Sequence, residues 1–228
     1  MAVTRKALVV GATGAVGEHV VGHLLVSGAF NTVVTVGRRP ACVPAQYKAE
    51  EFRGELQQVV VNMDHLEAEA APAFKDVDSV FCCLGTTRKV AGSAEQFLKV
   101  DVEYVKATAA AAKVAGAAHF ALLTAAGANA NVWANNWACF HPLLYAKAKG
   151  QAEEAVKAQG FASTAIYRPG LIDRGDKKRE IEKVVATVLS STACDKLAAL
   201  MVKHAMADER PALVTYEAAS IQSGIKNL

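Results

Sequence analysis

The sequence predicts one α/β domain with a doubly wound parallel sheet and helices on both faces, and three observations predict it. Short β-branched runs alternate along the chain with alanine-rich helical stretches. The runs are almost continuously apolar, as strands are when both faces of a sheet are covered. Three glycines stand at the first strand-to-helix junction, in Gly11-Ala12-Thr13-Gly14-Ala15-Val16-Gly17. A chain of 228 residues and 24.0 kDa suits a single domain of this class.

The elements follow in order. Ala7–Val10 is the first strand, followed by the glycine turn and a helix from about Ala15 to Ser27. Thr32–Val36 is the second strand, broken by Gly37-Arg38-Arg39-Pro40. Gln57–Asn62 is the third, and Val77–Leu84 the fourth, ended by Gly85. A long helix runs from about Ala94 to Ala115, with Phe97, Val100, Tyr104, Val105 and Thr108 near helical spacing. His119–Leu123 is the fifth strand, Gln151–Gln159 closes a further helix, and Phe161–Tyr167 is a sixth strand stopped by Pro169-Gly170. No internal repeat, low-complexity tract or linker interrupts the pattern. Residues 1–228 therefore read as one domain, with about 171–228 a small C-terminal segment for substrate or partner contacts.

Composition narrows the function. Hydrophobic residues make up 52% and charged residues 21%, with a mean hydropathy of +0.18, so disorder and coiled coil are poor descriptions. The 25 Lys+Arg against 22 Asp+Glu give only +3, and the basic residues are scattered, which argues against nucleic acid as a partner. No apolar run reaches the roughly 18–20 residues of a membrane span. The chain enters an apolar run at Ala7, and no signal or transit peptide is expected. The five cysteines (Cys42, Cys82, Cys83, Cys139, Cys194) form no C-x-x-C, which suits a reducing compartment and structural thiols. The expectation is a soluble cytoplasmic protein with access to the nucleus open.

The glycine loop carries the first chemistry. It follows a strand and opens a helix, the context in which such a loop binds the pyrophosphate of a dinucleotide. Gly11 permits the tight turn, Gly14 lets the backbone approach the anion, and Gly17 lets the helix lie close to the sheet. The spacing is Gly-x-x-Gly-x-x-Gly, one residue longer than G-x-G-x-x-G, and an ordinary tight turn is the plainer alternative. With this loop the fold is of the Rossmann type. About 20 residues on, where an acid normally meets the ribose of NAD, stands Gly37-Arg38-Arg39. Guanidinium groups pair with a 2′-phosphate that a carboxylate would repel, so NADP(H) is favoured; two solvated arginines are the alternative.

Tyr145-Ala146-Lys147-Ala148-Lys149 is a Tyr-x-x-x-Lys, which on a helix sets both side chains on one face. An ammonium beside a phenol makes it a usable proton donor. The pattern is common by chance, but here it follows the fifth strand, on the side where ligands bind.

Together with Tyr167-Arg168-Pro169-Gly170, these motifs resemble the short-chain dehydrogenase/reductase superfamily. The stretch Val80-Phe81-Cys82-Cys83-Leu84-Gly85-Thr86-Thr87-Arg88, with Val36-Gly37-Arg38-Arg39 and Val100-Asp101, resembles more narrowly the Tat-interacting protein family of atypical members. The likeness covers about Ala7 to Leu171. It implies an NADPH-binding domain with the adenine near Asp64, the cofactor crossing Gly85 and Thr86, and Lys149 reaching the nicotinamide ribose. Loop and likeness together give a cofactor set of Gly11, Thr13, Gly14, Ala15, Val16, Gly17, Arg38, Arg39, Asp64, Leu84, Gly85, Thr86, Lys149, Arg168 and Pro169. The catalytic candidates are Tyr145, Lys149 and Thr124.

Two departures from the family stand out. Members usually carry two serines at the end of the fifth strand, the second being the catalytic hydroxyl. This chain has Thr124-Ala125-Ala126, so its one hydroxyl comes a place early and points to the other face. Asn129–Pro142, holding Trp133, Trp137, Phe140 and His141, is an insertion before Tyr145, either a lid or partner surface or a loop packed on its own domain. His19 and His23 share a helix face but have no evident third ligand, so no metal is expected. Cys82 and Cys83 point to opposite faces of a strand, and packing explains both. Lys177-Lys178-Arg179 reads as a solvated loop.

Two functions remain. One is an NADPH-dependent reductase of a small carbonyl compound, with Tyr145 as proton donor. The other is an NADPH-sensing adaptor whose occupied form a protein partner reads, since the resemblance also implies transcriptional regulation and nuclear import receptors. A sugar-nucleotide epimerase is a weaker third, because the 58 residues after Gly170 are few for a separate substrate domain.

Overall fold

Valine, leucine and phenylalanine fill both faces of the central strands, and this drives the architecture. In the computed structural model, which describes residues 5–134, 141–173 and 191–228, nine strands are assigned. They are Lys6–Val10 (β1), Thr32–Gly37 (β2), Glu55–Val60 (β3), Ser79–Cys82 (β4), His119–Leu123 (β5), Ser163–Arg168 (β6), Ile172–Asp173 (β7), Thr192–Ala193 (β8) and Leu213–Glu217 (β9). The main sheet is parallel throughout, in the order β3-β2-β1-β4-β5-β6-β9, and β7 pairs with β8 apart from it. This is the predicted doubly wound, Rossmann-type domain.

The helices are Gly17–Ser27 (α1), Leu66–Glu69 (α2), Ala71–Phe74 (α3), Arg88–Ala91 (α4), Ala94–Leu98 (α5), Tyr104–Val114 (α6), His141–Lys157 (α7), Cys194–Met206 (α8) and Ala218–Lys226 (α9). Strand alternation divides the core between two faces. Ala7 and Val9 pack with Leu24 and Leu25 of α1 and Leu197 and Met201 of α8. Leu8 and Val10 pack with Leu66, Phe74, Val105 and Val156 on the opposite face. Each of these fully buried large side chains contributes about 1.5–3 kcal/mol of apolar burial. No described helix is long and apolar enough to cross a membrane.

Three expectations change. The third strand is Glu55–Val60, two residues earlier than expected, because an edge strand need not bury one face and its Glu55, Gln57 and Gln58 are exposed. The long helix is not uniform: a π-turn, Lys99–Glu103, joins α5 to α6. The C-terminal segment is more than an accessory, since β9 extends the sheet beside β6 and α8 packs on α1. Its periodicity is hidden because β9 is an edge strand with only half-buried and exposed residues.

Candidate functional site

Val10 pairs with Cys82, and beyond this rung the chains leaving β1 and β4 turn to opposite faces, which opens a crevice at the carboxyl end of the sheet. Gly11 makes the turn at φ +85°, and a Cβ there would stand 2.6 Å from the Cys83 carbonyl carbon. Only glycine serves at this crossing. Gly14 N donates to Gly11 O at 3.0 Å, and a Cβ on Gly17 would collide with that same carbonyl. The third glycine thus seats the helix on the loop itself, rather than on the sheet as expected. Helix α1 begins at Gly17, and its N-cap residue Val16 makes no side-chain capping bond. A close-approach cradle ending in a helix N-terminus fits the pyrophosphate of a dinucleotide.

The cleft has two compartments. Gly11, Thr13, Arg38 and Arg39 line the first, with Leu84, Met63, Val100 and Tyr104 opposite. Gly14, Ala15, Val16, Gly85 and Thr86 line the second, with Leu84, Thr124, Tyr145 and Lys149. Most of the expected set is therefore gathered in one crevice. Asp64 is at the rim and lines a neighbouring groove, while Met63 takes its expected place in the cleft. Its carboxylate accepts from Tyr104 Oη at 2.6 Å and pairs with Lys99 at 2.7 Å. The Lys99 and Tyr104 hydrogen bonds hold that carboxyl below the usual carboxylate range. Burial first, and Asp64 second, push the Tyr104 phenol up to about 12.

Helix α7 presents Tyr145, Lys149 and Glu153 at four-residue steps, hence on one face. Tyr145 stacks on the buried Phe97, with ring centroids 6.1 Å apart. Lys149 Nζ lies 5.9 Å from the Tyr145 ring centroid, donates to Leu84 O at 3.3 Å and stands 2.8 Å from Asp101 Oδ1. Burial pulls the Lys149 pKa down, but the charge and hydrogen bond of Asp101, with Tyr145 and Cys82, together outweigh it and the net shift is upward. Lys149 is thus a buried ammonium in the cleft wall, beside Gly85 and Thr86.

Three of the expected site residues are engaged elsewhere. Thr124 Oγ1 lies within reach of Glu153 Oε1 at 2.8 Å and of Tyr167 O at 3.2 Å, so its single proton has acceptors within the fold, although Thr124 also lines the second compartment. Strand alternation aims it there, as the sequence suggested. Arg168 lines neither compartment. Its Nε donates to Glu153 Oε1 at 2.9 Å, its Nη2 bonds Glu153 Oε2 at 2.5 Å, and its Nη1 reaches Glu217 at 2.8 Å. Pro169 is buried, accepts from Ala126 N at 2.9 Å and lines neither compartment. The Arg-Pro pair is structural because it ties the ends of β5 and β6 to α7.

The described part of the insertion lies on the domain. Asn129 N donates to Ala146 O at 2.9 Å, and Gly150 of α7 has no room for a Cβ under Ala130. Trp133 is exposed; Trp137 and Phe140 fall outside the described residues, as does Lys177-Lys178-Arg179. His19 bonds Tyr47 Oη at 3.1 Å and His23 bonds Asp195 O at 3.0 Å. Cys82 is buried in one core and Cys83 packs against the other, and burial pushes both thiols up, Cys82 to about 11. Sequence reasoning missed Asp101 and Glu153 as partners. Glu153 was within reach, since it lies four residues past Lys149, but an acid in mid-helix gives no signal that it is buried.

The NAD(P)H-binding family model matches residues 11–208. Protein HTATIP2 of Rattus norvegicus is 34% identical over 168 residues, which are 74% of this chain and 63% of that protein. Protein FMP52-1, mitochondrial, of Scheffersomyces stipitis is 36% identical over 168 residues, 73% of this chain and 67% of that one. The matched part is thus about two thirds of these relatives' length. Among solved structures, MoeE5 in complex with UDP-glucose and NAD superposes with a TM-score of 0.70 at 18% identity, over 93% of this chain and 75% of that one. A putative NAD-dependent epimerase/dehydratase from Bacillus halodurans gives 0.67 at 18%, over 98% and 100%. The chain belongs to the NAD(P)H-binding family and is related to the Tat-interacting proteins. The cytoplasmic expectation is corrected, because the fungal relatives are named mitochondrial.

Proposed function

We propose that this member of the NAD(P)H-binding family is an NADPH-dependent reductase of a small carbonyl compound. One observation carries the proposal: Tyr145 and Lys149 line the same compartment as Gly14–Val16 and Gly85–Thr86. Gly14–Val16 would hold the dinucleotide, and Tyr145 borders the same compartment, where its phenol would meet the reactive end. Arg38 and Arg39 line the other compartment, where a 2′-phosphate supplies the dianion they pair with. Bound NADPH supplies the hydride. Tyr145 Oη gives its proton to the oxygen that becomes the alkoxide, and Lys149 holds the ribose and keeps positive charge beside the phenol. The NAD(P)H-binding family model supports a dinucleotide role without naming a substrate.

A second reading is favoured by Thr124. With its hydroxyl proton committed and alanine at position 125, the carbonyl oxygen has one donor fewer than the family provides. That suits a protein that binds NADPH well and turns over slowly, as a sensor read by a protein partner would.

The test is a titration with NADPH and NADH, followed by single-turnover assays on dicarbonyl and quinone substrates. NADPH should bind more tightly, and replacing Arg38 and Arg39 with Ala should remove the preference, at about 1.5–3 kcal/mol for each charged hydrogen bond lost. Equal affinities in the unmodified protein rule out the NADPH assignment. Tight NADPH binding without turnover on any carbonyl leaves the sensor reading.

A further inference from the structure

We propose that Arg88 is a specificity-determining residue at the edge of the second compartment, and that its buried guanidinium nitrogen receives a carboxylate carried by the carbonyl substrate. The substrate class is then an oxo acid. The inference rests on the reductase reading of this cleft and adds to it the chemistry of the substrate's other end.

Arg88 follows directly on the loop that borders the cleft. Gly85 and Thr86 line the second compartment together with Tyr145 and Lys149. Thr87 then caps α4, its Oγ1 accepting from Val90 N at 3.2 Å, which makes Arg88 the first residue of that helix. At the other end of α4, Ala91 packs on the apolar cluster of Phe97, Leu144 and Ala148, which Tyr145 joins as well. The chain thus carries Arg88 from a wall of the compartment toward the packing that seats the phenol.

The fold leaves part of this guanidinium unmet. Arg88 is half-buried, and its Nη1 is buried with no hydrogen-bond partner among the described residues. A buried donor without an acceptor is costly, more so on a charged group, and marks a place where an acceptor belongs. The neighbouring acids are occupied. Glu95 feels the Arg88 charge, but it is exposed, and its own backbone amide and the Ser93 hydroxyl lower its carboxyl more than Arg88 does. Asp101 already meets Lys149 and Thr86 N. A planar carboxylate suits the edge of a guanidinium, which it meets by charge-assisted hydrogen bonds. A site with such a donor rejects a substrate that cannot satisfy it. Reduction leaves the carboxylate unchanged. The carbonyl carbon gains hydride from NADPH, and its oxygen takes the π pair and the Tyr145 proton. The products are a hydroxy acid and NADP+, and water returns the proton to Tyr145.

The test measures kcat/KM with NADPH for pyruvate against methyl pyruvate, and for levulinate against methyl levulinate. The two pairs set the carboxylate beside the carbonyl and further from it, and the esters are no less electrophilic than the acids. In the pair whose spacing fits, the acid should exceed its ester by about ten- to hundredfold, the scale of one charged hydrogen bond. Arg88→Met should erase that preference by lowering the acid, chiefly through KM, with NADPH affinity as in the natural protein. Arg88→Lys keeps the charge without the planar fork and should recover part of the preference. Natural protein that reduces the esters and prefers neither acid overturns the proposal, leaves the reductase reading in place, and needs no variant to fold. Equal losses on acid and ester in Arg88→Met overturn it as well, since a merely structural arginine does not tell them apart. So does a loss of NADPH affinity in that variant, because the anion met would be the cofactor's own phosphate. No reduction of any of these compounds removes the reductase reading itself, and the proposal with it.

Discussion

Helix α7 carries two buried ion pairs one turn apart, Lys149–Asp101 and Glu153–Arg168, and they are built on different plans. Asp101 and Glu153 are both fully buried, so burial does not separate them. Their hydrogen bonding does. Glu153 takes two bonds from Arg168 and one from Thr124, and Arg168 spends its remaining reach on Glu217. Among the described residues Lys149 meets Leu84 O and Asp101, and Asp101 meets Lys149 and Thr86 N. The saturated pair bolts β5, β6 and β9 to α7. The other borders the cleft. Charged groups at equal burial thus differ in how completely the fold itself satisfies them.

The largest effect expected along this face is on turnover. Tyr145→Phe should lower it about 10²–10⁴-fold, the contribution of a positioned general acid, and leave NADPH affinity unchanged. Wild-type rates in that variant would show that the phenol is not the acid. Next comes the saturated pair. Glu153→Gln leaves Arg168 without its buried counter-charge and should cost about 3 kcal/mol in urea unfolding, the low end for breaking a buried pair because Arg168 keeps Glu217. The folded variant should bind NADPH as the natural protein does. Loss of binding in folded Glu153→Gln would break the distinction between the two pairs.

The sequence exposed one side of this contrast better than the other. Gly11, Gly14, Arg38, Arg39, Tyr145 and Lys149 were legible because each sits in a motif whose spacing follows from backbone chemistry: a tight turn, an exit loop, a helical face. The first six strands and the doubly wound order followed from β-branched runs that two faces bury. The seventh strand of the main sheet was not legible, because Leu213–Glu217 is a half-buried edge. Asp101 was quoted only as part of a family string, and its role depends on a π-turn that residue periodicity does not encode. The acidic partners of Arg168 were hidden for a related reason. Arginine after a strand reads as a ligand for an anion, and nothing local shows that the anion is the protein's own Glu153.

A smaller effect, opposite in sign, is expected at the carbonyl end. Ala125→Ser restores a hydroxyl at the family's position, clear of the Glu153 network. Losing one preorganised donor costs other enzymes about 10²–10³-fold, so a partly aligned serine should raise single-turnover rates on a dicarbonyl by about tenfold. A natural protein that is already fast, and gains nothing from the serine, would favour the plain reductase over the sensor.

The smallest effect tests whether Thr124 belongs with the bolt or with the cleft, since it lines the second compartment while its hydroxyl turns to Glu153. Thr124→Val keeps the shape and removes the oxygen. Glu153 retains both Arg168 bonds, so its carboxylate is not stranded, and the loss should be that of one hydrogen bond, about 1 kcal/mol in urea unfolding. Turnover per folded molecule should not change, because a hydroxyl whose proton lies on Glu153 or Tyr167 O has none to offer a substrate. If Thr124→Val instead leaves stability alone and abolishes turnover, the hydroxyl must swing into the cleft during reaction. Thr124 would then be the catalytic hydroxyl after all, and the line between the two pairs would fall one residue away from where the resting geometry draws it.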